Sequence, residues 1–356
     1  MTHISFTPRP FQPAWWLRGA HAQTVAGRFL RHMPAPAFRR ERVETPDGDF
    51  IDLDFADVPG AGPHSPLAVV IHGLEGSGAS AYVVETCRQL AERGIRGVAM
   101  NFRSCSGEPN RTARFYHAGD TADLALVLDL LAERFPAAPI GAAGFSLGAN
   151  VLLKYLGERG EDARGRVRAA VAVSVPFDLS AGADHLEASA VGRFYTSVFL
   201  RSLRDKFDAK GGMMDGTCDA GRVRAARSFR DFDDAATARL HGFTGADHYY
   251  AQSSSARFVA AVRVPTLILH SADDPFLPAS AIPRDAIRAN PHVAAAITDH
   301  GGHVGFIAGS PWRPDFWAES EAARFLAQHL PSGDSVDAHL PADPLDAGAR
   351  MMEVAE

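Results

Sequence analysis

From Leu67 onward the chain alternates short apolar runs with longer segments whose apolar residues recur every three or four positions. The runs are LAVVIH (67–72), IRGVAMNF (95–102), PIGAAGF (139–145) and RAAVAVSV (168–175). Each has the length and continuity of a strand buried on both faces. Between them lie helical segments at 80–93, 119–134 and 147–157; in the second, Leu124, Leu128 and Leu131 share one face. The rhythm stops across 176–262, which has mixed charge, a basic section (Arg201, Arg204, Lys206) and the string GGMMDG. It resumes with VPTLILH (264–270), a helix near 279–289, VAAAIT (293–298) and a final helix over 314–329. Upstream, 40–56 alternates around Pro46-Asp47-Gly48, a turn signal that predicts a hairpin.

Strands alternating with helices predict an α/β domain: a mostly parallel central sheet with helices on both faces. An insertion over about 176–262 interrupts it after the sixth strand. Residues 1–35, rich in Pro and aromatics, are expected to form an arm that packs on a domain spanning 36–330. Residues 331–356 have no periodicity and are expected to be a mobile tail.

Composition narrows the class. With 356 residues, 46% of them hydrophobic, the chain can build a core without disulfides or metal and is too apolar for disorder. A net charge of −6 offers no field for a polyanion, which argues against nucleic acid as the main partner. Cys87, Cys105 and Cys218 lie far apart, with neither a disulfide framework nor metal-ligand spacing, and suit a reducing cytoplasm, the expected location. Pro8, Pro10 and Pro13 interrupt the N-terminus, which lacks the apolar core of a signal peptide. No run approaches the roughly 18 apolar residues of a membrane span. Trp15, Trp16 and Leu17 could meet a membrane surface, but no basic amphipathic helix accompanies them, so packing on the domain is expected.

In open α/β sheets ligands bind beyond the carboxyl ends of the strands, and the chemistry is sought there. The strand at 139–145 runs into Gly144-Phe145-Ser146-Leu147-Gly148, and a helix follows at once: a G-x-S-x-G nucleophile elbow in its strand-turn-helix setting. The sharp turn puts the serine backbone in a strained region and projects its hydroxyl above the sheet. Side chains at 144 and 148 would collide with the neighbouring helix and strand, hence glycine at both. The helix N-terminus favours developing negative charge.

A serine hydroxyl needs a base, and the base an orienting acid. In the order Ser, acid, His, the acid falls in Ser271-Ala272-Asp273-Asp274-Pro275-Phe276-Leu277-Pro278. Asp274, four residues before Pro278, is preferred; Asp273 is the alternative, and the other aspartate caps the loop. The base falls in Asp299-His300-Gly301-Gly302-His303. His303 is preferred to His300, because two glycines let the loop curve back over the elbow. The backbone N–H groups of Leu147 and Leu74 are the candidate oxyanion donors, with His72-Gly73 shaping the turn after the first central strand.

Eight segments carry a resemblance: PAWWLRGAHAQT near the N-terminus, HGLEGS (72–77), NFRSCSGEPNR (101–111), YHAGDTADL (116–124), GFSLGAN (144–150), FDDAATARLHGFTGADHYY (232–250), SADDPFLP (271–278) and HGGHVGF (300–306). Through them, from about Phe11 to about Leu330, the chain resembles the YheT-like branch of the α/β-hydrolases, which also holds plant and animal hydrolase-domain esterases and phospholipases. The resemblance implies the α/β-hydrolase fold, a charge-relay triad of Ser146, Asp274 and His303, and an insertion that serves as a lid. Phe177, Phe194, Tyr195 and Phe199 of that insertion are candidates for an acyl pocket. Ser104 stands where the family pattern has glycine.

The expected activity is that of a serine esterase on small-molecule, short- to medium-chain acyl esters, with no metal and no organic cofactor. A lipase, phospholipase or thioesterase with the same triad, and a non-catalytic hydrolase-fold binding protein, are the alternatives. A serine at 146 excludes enzymes of this fold that use a carboxylate or thiol nucleophile there. Oligomeric state is not legible.

Overall fold

The apolar runs form the sheet. A computed structural model describes residues 4–31, 36–56 and 58–331; the expected tail therefore lies, from residue 332 on, outside the described residues. In chain order the first elements are helix α1 (Ala20–Leu30), strands β1 (Phe38–Glu44), β2 (Phe50–Ala56) and β3 (Leu67–Ile71), helix α2 (Ala81–Ala91) and strand β4 (Arg96–Met100). Then come α3 (Ala122–Arg134), β5 (Ile140–Phe145), α4 (Leu147–Arg159) and β6 (Ala169–Val173). Six helices follow: α5 (Leu179–Glu187), α6 (Ala190–Lys210), α7 (Ala220–Ala225), α8 (Phe229–Phe232), α9 (Ala238–Leu240) and α10 (Ala246–Ser253). The chain closes with β7 (Thr266–Ser271), α11 (Arg284–Ala289), β8 (Val293–Thr298), the hairpin β9 (Ile307–Ser310) and β10 (Arg313–Phe316), and α12 (Trp317–His329).

The eight-stranded sheet has the order β1-β2-β4-β3-β5-β6-β7-β8. β1, β2 and β4 pair antiparallel, and every pairing from β4 through β3 to β8 is parallel. Period-two alternation divides the side chains between two cores. Leu67, Val69 and Ile71 face a cluster with Leu124, Leu128 and Leu131 of α3 and Val151 and Leu152 of α4. Ala68 and Val70 face a cluster with Val83 and Leu90 of α2 and Trp317, Phe325 and Leu326 of α12. The parallel register aligns Ile71 with Gly144, Phe145 with Val173 and Ser271 with Thr298, so the loops after these strands open on one edge.

The stretch 176–262 is helical, although its sequence has no period. Its apolar residues serve three environments, so no helix keeps one stripe: Leu200, Phe207 and Val223 fill a small core of their own, Phe199 lines a cavity, and Val191 and Phe194 are exposed. The β9–β10 hairpin is an addition to the expected pattern, and α12 starts at Trp317 rather than 314 because Pro314 pairs in β10. Pro283 divides the expected 279–289 helix into a 3-10 turn at Ala279–Ala281 and α11.

The first residues lie across the domain. Phe6 meets Phe325 edge to face at 4.9 Å, Phe11 stands 5.3 Å from Trp317, and the indole N–H of Trp16 donates to the Gly309 carbonyl at 3.1 Å. Trp15 is 67% exposed.

Candidate active site

Ser146 follows β5 and opens α4 at φ 51°, ψ −120°, a region that strains any residue with a Cβ. Its N–H donates to the Val173 carbonyl at 2.8 Å, which pins the turn to the next strand. The two glycines of the motif have the predicted cause. A Cβ on Gly144 would meet the Gly148 carbonyl at 2.6 Å and Ala149 Cα at 2.7 Å. One on Gly148 would meet the carbonyls of His72 at 2.5 Å and Ile71 at 2.6 Å.

His303 and Asp274 meet this hydroxyl in series. His303 Nε2 lies 2.8 Å from Ser146 Oγ, and Nδ1 lies 2.7 Å from Asp274 Oδ2. The Asp274 side chain is fully buried, and its other oxygen accepts the Phe276 N–H at 2.8 Å. Asp273 does different work. It accepts the Gly302 N–H at 2.9 Å and the Ser271 hydroxyl, and it faces the exposed His300 at 3.3 Å. It therefore ties the two loops together beside the site.

The histidine loop is held from outside the sheet as well. The His303 N–H donates to Thr24 Oγ1 at 2.9 Å and the Val304 N–H to Ser174 Oγ at 3.0 Å. Arg31 donates to the carbonyls of Val304 at 2.9 Å and Gly305 at 3.1 Å. Gly302, at φ 62°, passes so close to α1 that a Cβ would lie 2.4 Å from the Ala20 carbonyl. These N-terminal supports were not read from the sequence; they belong to a helix nearly the whole chain away.

The loop after β3 is braced on both sides of Leu74. His72 is fully buried: Nδ1 bonds the Gly73 carbonyl at 2.7 Å, and Nε2 accepts the Phe102 N–H at 3.1 Å. Burial pushes its imidazole down to about 4, so it stays neutral and fixes the tautomer. Gly73 passes Ser146 so closely that a Cβ would lie 3.0 Å from the serine Cβ. Its N–H donates to Tyr82 Oη at 2.8 Å. Glu75, at φ 55°, donates its N–H to Tyr116 Oη at 2.8 Å, and the Gly78 N–H goes to Asn101 Oδ1 at 2.7 Å. Among the described residues, the N–H groups of Leu74 and Leu147 have no acceptor, and both residues line the cavity that Ser146 faces.

Two features escaped the sequence reading. The Glu75 carboxylate accepts from Tyr116 Oη, Lys206 Nζ and the Ser202 hydroxyl, which links this loop to α6. Ser104, where glycine was expected, sits at φ 62°. Its hydroxyl bonds the Asn110 side chain and accepts the Asn110 N–H at 3.1 Å, contacts that offset the strain.

The cavity has a volume of about 990 Å³. Ser146 and His303 lie in its wall, with Val25, Phe29, Leu186, Phe194, Tyr195 and Phe199 among its apolar lining. Phe177, a candidate for that lining, is instead buried, with its ring 5.6 Å from that of His270. A π-helical turn at Asp233–Thr237 adds a polar corner. Asp233 accepts from Tyr250 Oη at 2.7 Å and Thr237 Oγ1 at 2.6 Å, and burial pushes its carboxyl up to about 6. Among the described residues no group of three or more His, Cys, Asp or Glu side chains is placed to hold a metal ion.

The family model for the alpha/beta hydrolase fold matches residues 66–310. A protein of Escherichia coli K12 named "Putative esterase YheT" is 39% identical over 322 residues, covering 90% of this chain and 94% of its own. The chain belongs to the YheT-like branch of the α/β-hydrolase superfamily. Other α/β-hydrolase relatives include Phospholipase ABHD3 of Bos taurus, 31% identical over 86% of this chain and 75% of its own. The Monoacylglycerol lipase of Saccharomyces cerevisiae is 30% identical over 81% of this chain and 63% of its own. Among solved structures, the Pyrococcus furiosus esterase Pf2001 shares the fold at a TM-score of 0.55 and 17% identity, covering 91% of this chain and 100% of its own. No helix among the described residues is long and apolar enough to cross a membrane.

Proposed function

We propose that this α/β-hydrolase is a serine hydrolase of carboxylic esters, working through an acyl-enzyme on Ser146. His303 takes the hydroxyl proton as Ser146 Oγ attacks the acyl carbon, then gives it to the leaving alcohol. Water repeats the cycle to release the acid. Asp274 holds the imidazole tautomer and steadies the imidazolium. The N–H groups of Leu147 and Leu74 receive the oxyanion, each worth on the order of 3 kcal/mol in such sites. The helical insertion over 176–262 acts as the lid, and its apolar wall takes the acyl chain.

The observation that carries this reading is the unbroken series Ser146–His303–Asp274 at 2.8 and 2.7 Å beside a cavity of this size. It favours Asp274 over Asp273 and an enzyme over a binding scaffold. Acyl transfer to lipid or thioester substrates would use the same groups. The test is labelling by a fluorophosphonate together with turnover of p-nitrophenyl esters of rising chain length. Labelling and turnover in the wild type, both lost in Ser146→Ala, are expected, with the best rates on short to medium chains. Turnover unchanged in Ser146→Ala would overturn the proposal.

A further inference from the structure

Eight large apolar side chains are strongly exposed among the described residues, and four of them, Val25, Phe29, Phe194 and Val198, also line the cavity. They therefore form its mouth. Val25 and Phe29 lie one turn apart on α1; Phe194 and Val198 lie one turn apart on α6, and Val191, also exposed, extends their face. His21 Nδ1 and Tyr195 Oη, 3.2 Å apart, join the two helices, so the two faces are one surface. Contiguous exposed apolar surface of this kind marks an interaction site.

The two segments that carry this face are basic, with the exposed Asp184 and Glu187 lying just before the second. The chain carries −6 overall, yet its first 40 residues contain no Asp or Glu, and neither does the stretch 188–204. Arg18, Arg28, Arg193 and Arg201 are all exposed on these segments. Arg18 and Arg193 bond backbone carbonyls, those of Trp15 and Glu187, rather than carboxylates. Arg28 lies on α1 and Arg18 just before it, in the same segment as Trp15 and Trp16. Exposed apolar residues with exposed arginines in the same segments are the pattern of an interfacial surface. Two copies would set like charges face to face, which disfavours self-association through it.

We propose that this face docks on an anionic lipid surface, and that the enzyme draws its acyl esters from that surface directly into the cavity. The second half rests on the hydrolase reading; the docking does not. The test is co-sedimentation of wild type and Ser146→Ala with vesicles of phosphatidylcholine alone or mixed equally with phosphatidylglycerol. Both proteins are expected to bind the mixed vesicles, bind the neutral ones weakly, and release in 0.5 M salt. Val191→Asp, and the pair Arg193→Glu with Arg201→Glu, lie outside the cavity wall. The arginine pair should bind at least ten-fold more weakly, from roughly five-fold per arginine lost, and Val191→Asp should weaken binding as well. Melting temperature and turnover of a soluble p-nitrophenyl ester should not change. No partition onto mixed vesicles, or partition undiminished in the variants, overturns the docking. A wild-type dimer that these variants split to monomers overturns it too and assigns the face to a second copy. Vesicle binding without ester turnover overturns the hydrolase reading and leaves the docking standing.

Discussion

The Glu75 carboxylate lies 2.9 Å from Lys206 Nζ, with the glutamate side chain 5% and the lysine side chain 21% exposed. The pair fastens helix α6 to the residue that follows Leu74, whose N–H has no acceptor among the described residues. Lys206 Nζ also lies 3.1 Å from Cys105 Sγ.

Glu75→Gln and Lys206→Met are each expected to lower kcat ten- to a hundred-fold with little change in KM, since the Leu74 N–H would lose its aim rather than the substrate its pocket. Both should also lower the melting temperature, because each leaves one partner largely buried and unpaired. The double variant should be no worse than the poorer single variant; additive losses would show that the two side chains act separately.

Asp274→Asn is expected to cost on the order of 10⁴ in kcat, because an amide cannot hold the imidazole in the needed tautomer. Asp273→Asn should cost less than ten-fold in kcat while loosening the contact with Gly302. Steady-state kinetics on one soluble ester decides between them, and the reverse ranking would transfer the acid to Asp273.

Gly148→Ala places a methyl group 2.5 Å from the His72 carbonyl, backbone against backbone, with no flexible side chain to yield. Loss of soluble protein, or a fall in melting temperature with fluorophosphonate labelling abolished, is the expected result. Retention of both labelling and stability would mean that the elbow relaxes more than its packing allows.

His270, next to last in β7, has both ring nitrogens buried and unpartnered among the described residues. Burial pushes its imidazole down to about 4; Asp274 nearby acts against this, and His303 and Arg284 add to it. In the unfolded chain it titrates near 6.5. Between these values the unfolded chain binds a proton that the folded chain does not, so stability rises with pH, is complete above about 6.5, and is lost as pH falls toward 4. His270→Leu removes this proton uptake and two unsatisfied polar atoms. Its stability gain over wild type should be about 2 kcal/mol larger at pH 5 than at pH 7. Denaturant midpoints at the two pH values measure it, and an equal gain at both refutes the cause.

What the sequence disclosed follows from where its constraints are local. The order of strands and helices was legible because β3, β5, β6 and β7 are buried on both faces and α3 keeps one stripe through Leu124, Leu128 and Leu131. The elbow was legible because Gly144 and Gly148 are required by contacts within the motif and with the adjoining strand. The Asp274–His303 pairing needed the order of loops along one sheet edge, which the strand count supplies. Glu75–Lys206, at opposite ends of a 131-residue separation, and Thr24–His303 left no periodic trace, since a single polar contact between distant segments imposes none. The helices of 176–262 were hidden for the opposite reason: their apolar residues face a private core, the cavity and solvent at once.

Helix α1 carries a temporal consequence. Thr24 reaches His303 across 279 positions, and Gln23 both accepts the Ile307 N–H and donates to its carbonyl across 284. A ribosome adding roughly 5–20 residues per second needs on the order of a quarter of a minute to a minute to cover that distance. Throughout that time the first helix has been made, and the histidine loop it holds does not yet exist. No nascent fragment can set the imidazole in place, so the proposed chemistry waits until the His303 loop has left the exit tunnel and closed against α1.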